Sequence, residues 1–95
     1  MAEAALQKLG ESLEHVDISW TTLGDEAVIA ITDVCGERLK VLCLSGSQVT
    51  LKGIKHVLKQ SPNLSRLSLT SCRSAPRELK REYDRAGILD LAKTI

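Results

Sequence analysis

The sequence predicts an α/β solenoid of about three strand–turn–helix units, with parallel strands on a concave face and a helical cap at the C-terminal end. Three observations predict it. One apolar spacing is written three times, as Leu13, Val16 and Ile18, then Leu39, Leu42 and Leu44, then Leu64, Leu67 and Leu69. Its starts lie 26 and then 25 residues apart. Each triplet is followed, three residues on, by a small polar or thiol side chain: Thr21, Ser47 and Cys72.

A 20–29-residue period carrying L-x-x-L-x-L and then Asn or Cys is the signature of the leucine-rich repeat. The rest of each unit aligns as well. Leu23 matches Val49, Ala27 matches Gly53, Val28 matches Ile54, and Ile31 matches Val57. The last three pairs fall at i, i+1 and i+4, a helical spacing. One such wedge cannot bury its own apolar face, so neighbouring units must stack. The usual rule for parallel connections makes the winding right-handed.

We read a single domain over residues 1–95. Residues 1–12 are a partial N-terminal helix (Ala2, Ala4, Ala5, Leu6, Leu9), the helix of a preceding unit cut short. Repeats follow at 13–38, 39–63 and 64–72, the last incomplete. Residues 73–95 are a capping tail. In it Pro76 suits a first helical turn. Leu79, Tyr83 and Ala86 then make an apolar stripe, with Arg77, Arg81 and Arg85 on another face and Gly87 as the helix breaker. A second apolar stretch follows at Ile88, Leu89, Leu91, Ala92 and Ile95. The tail reads either as a cap over the open end or as a helix that docks a partner.

With 43% hydrophobic residues, no Phe, and Trp20 and Tyr83 as the aromatics, the core must be aliphatic. Net charge is +1, but it is divided. Residues 1–35 hold Lys8 against seven acids, and residues 36–95 hold twelve Lys and Arg against five acids. Cys35, Cys43 and Cys72 are odd in number and read as free thiols of a reducing compartment. No basic stretch leads into a long apolar run, and the longest apolar run, 27–31, is far too short to span a bilayer. The expected location is cytoplasmic or nuclear. There the Asn63-Leu64-Ser65 triplet stays unglycosylated.

The junction Ser61-Pro62-Asn63-Leu64, the helix-ending Cys35, and the run Leu67-Ser68-Leu69-Thr70-Ser71-Cys72 resemble the cysteine-containing leucine-rich repeats of F-box proteins. The segment 22–27 resembles that family's turn with residues exchanged. The resemblance covers about residues 13–72. Ser47 and Ser61 replace cysteines of the pattern, and no F-box segment is present. The resemblance implies the substrate-reading end of an F-box type ubiquitin ligase. The alternative is a free-standing scaffold or adaptor.

In the predicted fold, residues between the buried strand positions face the concave surface. These are His15, Asp17, Ser19 and Trp20, then Val41, Cys43 and Ser45, then Arg66, Ser68 and Thr70. They are the candidate protein-binding residues. Trp20 reads two ways: as an exposed hot spot, or as a ring packed on a neighbouring turn. Arg66 near Asp17 or His15 would read a charged partner, or stand solvated. Lys52, Lys55 and Lys59 fall on an outward helix face, and His56 is expected to face solvent.

Catalysis is not expected. His15 and Cys43 lie on different strands with no third orienting group. C-x₂-C spacing is absent, and no cofactor, metal or small-molecule substrate is predicted. A basic tail patch (Arg73, Arg77, Lys80, Arg81, Arg85) raises nucleic-acid binding as a lesser reading. Glu78, Glu82 and Asp84 interrupt it, and two aromatics make no stacking platform.

Overall fold

In the computed structural model, which describes residues 14–95, each 25–26-residue period contributes one strand, and a helix follows each of the first two. The element order is β1 (His15–Asp17), α1 (Asp25–Cys35), β2 (Val41–Cys43), α2 (Leu51–Gln60), β3 (Arg66–Ser68), a 3₁₀ turn (Arg77–Leu79), β4 (Glu82–Tyr83) and α3 (Arg85–Thr94). The described residues form a mixed α/β fold with a four-stranded sheet and three α-helices. Among the described residues, no helix is long and apolar enough to cross a membrane. The expected N-terminal partial helix, and Leu13, lie outside the described residues.

The strand order is β1-β2-β3-β4. The first three strands run parallel, with His15, Val41 and Arg66 in one row, Val16, Leu42 and Leu67 in the next, and Asp17, Cys43 and Ser68 in the third. Alternation along each strand sends the middle row to the helices. Leu42 and Leu67 are accordingly buried, and Val16 packs against the core. The other two apolar positions of the second and third triplets, Leu39, Leu44, Leu64 and Leu69, are fully buried. Val28, Ile31, Ile54 and Val57 cover them from α1 and α2. Each fully buried Leu or Ile stabilises by about 1.5–3 kcal/mol before the entropy of ordering it is charged.

Two of the three aligned polar positions after the strands bond backbone carbonyls through their side chains. Thr21 Oγ1 donates to Ile18 O at 2.7 Å, and Cys72 Sγ reaches Leu44 O at 2.9 Å. The buried Ser47 lies between, its hydroxyl 3.9 Å from Cys72 Sγ. One residue per turn takes a left-handed conformation: Trp20 (φ 59°), Gly46 (φ 73°) and Ser71 (φ 60°). Their spacing repeats the 26 and 25 of the strands. Only glycine adopts this region without cost.

Four expectations are corrected. Leu23, aligned with the buried Val49, is 43% exposed. It belongs to the first unit, whose strand pairs on one side alone among the described residues. His56 is half-buried, not solvent-facing, because its Nε2 meets Asp33 Oδ1 of α1 at 2.9 Å. The sheet is not wholly parallel: β4 runs antiparallel to β3, with Leu67 opposite Tyr83 and Ser68 opposite Glu82.

The fourth correction concerns the tail. No α-helix starts at Pro76, which precedes only a single 3₁₀ turn, and Gly87 breaks none. Leu79 and Tyr83 are both buried, but from a 3₁₀ turn and a strand, and Ala86 is exposed. Leu69 N–H donates to Arg81 O at 2.9 Å, so the segment follows the free edge of β3. Pairing that edge satisfies backbone groups that a helix here would leave bare. The helix begins instead at Arg85, where Asp84 caps it by accepting Gly87 N–H at 2.8 Å. It buries Ile88 and Leu91. Arg85 also donates from Nη1 to Leu64 O at 2.7 Å, tying this last helix to the start of β3.

Candidate protein-interaction surface

The rows not covered by helices form an open sheet face. His15, Val41 and Arg66 make one row, Asp17, Cys43 and Ser68 the next, and Ser19, Ser45 and Thr70 continue the strands beyond them. The sequence-derived residues of all three strands are thus brought to one face. Asp17, His15 and Arg66 are exposed; Ser45 and Ser68 are each 8% exposed.

The buried polar groups of this face satisfy one another. Ser45 Oγ lies 2.6 Å from Ser68 Oγ and 2.7 Å from Thr70 Oγ1. Cys43 Sγ bonds Ser45 Oγ at 3.8 Å and also meets Ser19 Oγ. Hydroxyls and a thiol therefore run as a connected ladder across the three strands. Such a ladder orders the surface without leaving bare donors. Cys43 shares its row with Asp17, whereas His15 pairs across with Val41, so the imidazole stands outside the thiol's hydrogen-bond set.

Asp17 Oδ1 accepts the Ser19 N–H at 2.8 Å. The Ser19 hydroxyl, then this N–H, and more weakly the Cys43 thiol hold its carboxyl below the usual 3.8. Asp17 is a fixed anion at neutral pH.

Trp20 is both packed and exposed. Its ring lies on Gly46 of the next unit, where a Cβ would come within 2.4 Å of Cε3. The residue is nonetheless 74% exposed, so one side packs and the rest faces solvent. Its backbone N–H donates to Ser45 O at 2.7 Å.

A cleft of about 790 Å³ adjoins this face, between β2, β3 and the 3₁₀-β4-α3 segment. Glu78, Glu82, Asp84 and Asp90 line it beside Arg66 and Arg81. The acidic wall was not read from the sequence. The sequence showed Glu78, Glu82 and Asp84 as acids interrupting the basic tail, without bringing them to one cleft. The basic tail residues do not form a helical face. Arg77 sits in the 3₁₀ turn, Arg81 lies 5.1 Å from the Tyr83 ring centroid, and Arg85 is held by Leu64 O.

Against known proteins, the chain is 35% identical over 60 residues to the acidic leucine-rich nuclear phosphoprotein 32-related protein 2 of Caenorhabditis elegans. The match covers 63% of this chain but 26% of the relative, so the chain spans about a quarter of that protein's length. No protein-family model matches, and no solved structure matches. The similarity supports a leucine-rich-repeat relationship. The relative's description refers to leucine-rich character and to the nucleus, with no mention of an F-box or a ligase.

Proposed function

We propose that this chain is a stretch of leucine-rich-repeat solenoid that binds a partner protein through its open sheet face and performs no catalysis. The observation that carries the reading is the in-register alignment of three strands, which presents Asp17, Cys43 and Ser68 in one row and His15, Val41 and Arg66 in another. The partly free Trp20 ring beside them supplies the kind of large apolar contact that dominates binding energies. The similarity to a leucine-rich nuclear protein agrees with a protein-interaction role, and the nucleus or cytoplasm is the proposed compartment.

The finer reading keeps the ligase context implied by the Ser61-Pro62-Asn63-Leu64 junction and Cys72, with a ubiquitylation substrate as partner. A free-standing adaptor is the alternative. Both are tested by affinity capture from cell lysate with the parent chain, Trp20→Ala and Arg66→Glu, each first checked for native circular dichroism. Loss of one partner by both folded variants supports the open face. Retention of every partner overturns it. Slower turnover of that partner when its binding is lost would link it to a ligase.

A further inference from the structure

One row of the sheet crosses all four strands: Asp17, Cys43, Ser68 and Glu82 stand side by side in register. It has a carboxylate at each end and a thiol and a hydroxyl between. Both carboxylates are exposed. Three strand spacings of about 4.8 Å put them about 14 Å apart. Among the described residues, neither has a cation within salt-bridge distance. Around Asp17 the charge is of one sign, and around Glu82, between Arg81 and Arg85, it is mixed. Residues 14–35 carry five acids and no Lys or Arg. At the other end the cleft's four carboxylates outnumber Arg66 and Arg81. The exposed lysines Lys52, Lys55 and Lys59 lie on α2, behind the sheet.

We infer that the open face takes an extended, lysine- or arginine-bearing segment of a partner protein, laid across the strands with one cation at Asp17 and another at Glu82. This rests on the protein-binding reading above and adds the partner's chemistry. An extended chain advances about 3.4 Å per residue, so two cations four residues apart span the row. Between them the segment crosses Cys43 and Ser68, whose neighbours already satisfy much of their hydrogen bonding. Little polar desolvation is left uncompensated there. The ionisation of Asp17, secured by Ser19, keeps its end of the row charged through the physiological range. Complementary charge of this kind speeds and orients encounter, and it weakens with salt.

The test is titration of the ¹⁵N-labelled full chain with two soluble serine-rich peptides, one with lysines four residues apart and one with glutamates there. The amides of Asp17, Cys43, Ser68 and Glu82 are followed by NMR. The lysine peptide should shift this row, and its affinity should fall with added salt. Glu82→Gln and Asp17→Asn should each weaken it by roughly threefold to tenfold, in line with one surface ion pair. Lys52→Gln on the opposite side should leave it unchanged. Glu82→Gln leaves the Ser19 bonds intact, so its effect cannot come from a disturbed β1. No shift with the lysine peptide at millimolar concentration overturns the inference, as does equal binding by both carboxamide variants. A glutamate peptide that shifts the row instead also overturns it, while leaving the open face standing as the interaction surface.

Discussion

The carboxylate of Asp25, in the first turn of α1, caps the helix of the next unit: its Oδ1 accepts the backbone N–H of Thr50 at 2.7 Å, and its Oδ2 accepts the Thr50 hydroxyl. Thr50 is the N-cap residue of α2 and makes no side-chain cap of its own. A cap supplied from a neighbouring unit joins local helix stability to the stacking of units. Asp25→Ala should cost about 1–2 kcal/mol, a fall in Tm of about 4–8 °C per kcal/mol for a chain of this size. Asp25→Asn, which keeps one acceptor oxygen, should cost less. Equal losses in urea denaturation would show that the acceptor is unimportant.

Gly46 is held in place by Trp20 as well as by its own backbone. Gly46→Ala must adopt a positive φ and meet the indole ring. The expected loss is at least about 1–2 kcal/mol. In a Trp20→Ala background the collision disappears and the backbone cost remains. A double-mutant cycle with no coupling would refute the packing of the ring on Gly46.

Ser61 has a buried hydroxyl with no hydrogen-bond partner among the described residues. It stands where the resembling repeats have cysteine. Ser61→Cys and Ser61→Ala should therefore stabilise, by up to about 1 kcal/mol, since desolvating an unpaired hydroxyl is unfavourable. A lower denaturation midpoint for both would contradict this.

The three thiols should differ in reactivity. Cys35 and Cys72 are buried, and burial pushes the Cys35 thiol above its ordinary pKa. Cys43 is half-buried on the open face. Mass spectrometry after brief treatment with iodoacetamide should find Cys43 labelled first, the others only with unfolding. Early labelling of Cys35 would mean that α1 opens locally.

Asp17 gives a signed pH dependence. Its folded-state pKa is depressed, so its stabilisation is present above the ordinary value of 3.8 and is lost as pH falls through the lower folded value. The stability difference between the parent chain and Asp17→Asn should be constant from pH 5 to 7, as a flat upper limb requires. It should shrink in acid below pH 3.8. A difference that grew in acid would reverse the assignment.

The repeated parts of this fold were legible because they obey one rule many times. Leu39, Leu42 and Leu44 and their counterparts at 64, 67 and 69 are buried as the period requires. The open-face rows followed from the same alternation. The tail obeys no repeat. Leu79, Tyr83 and Ala86 carry a helical spacing, but the demand comes from the edge of β3, which lies far away in sequence. Asp84 as a cap for Arg85–Thr94 was readable in principle, since Asp just before an apolar stretch such as Ile88, Leu91 and Ala92 is a helix-start signal. The acidic wall of the cleft was not, because it exists only once β4 is laid beside Ser68. The Asp25–Thr50 cap likewise joins residues of different units that no local pattern connects.

The reversed direction of β4 makes the array one-ended. A parallel strand leaves an edge that another identical unit can copy, whereas β4 answers β3 with a different hydrogen-bond pattern and carries α3 beside it. Among the described residues the outer edge of β1 is unpaired and could take a further parallel strand, widening the sheet by about 4.8 Å, whereas the outer edge of β3 is taken by β4. Growth of the described sheet by the same repeat is thus open from one edge alone.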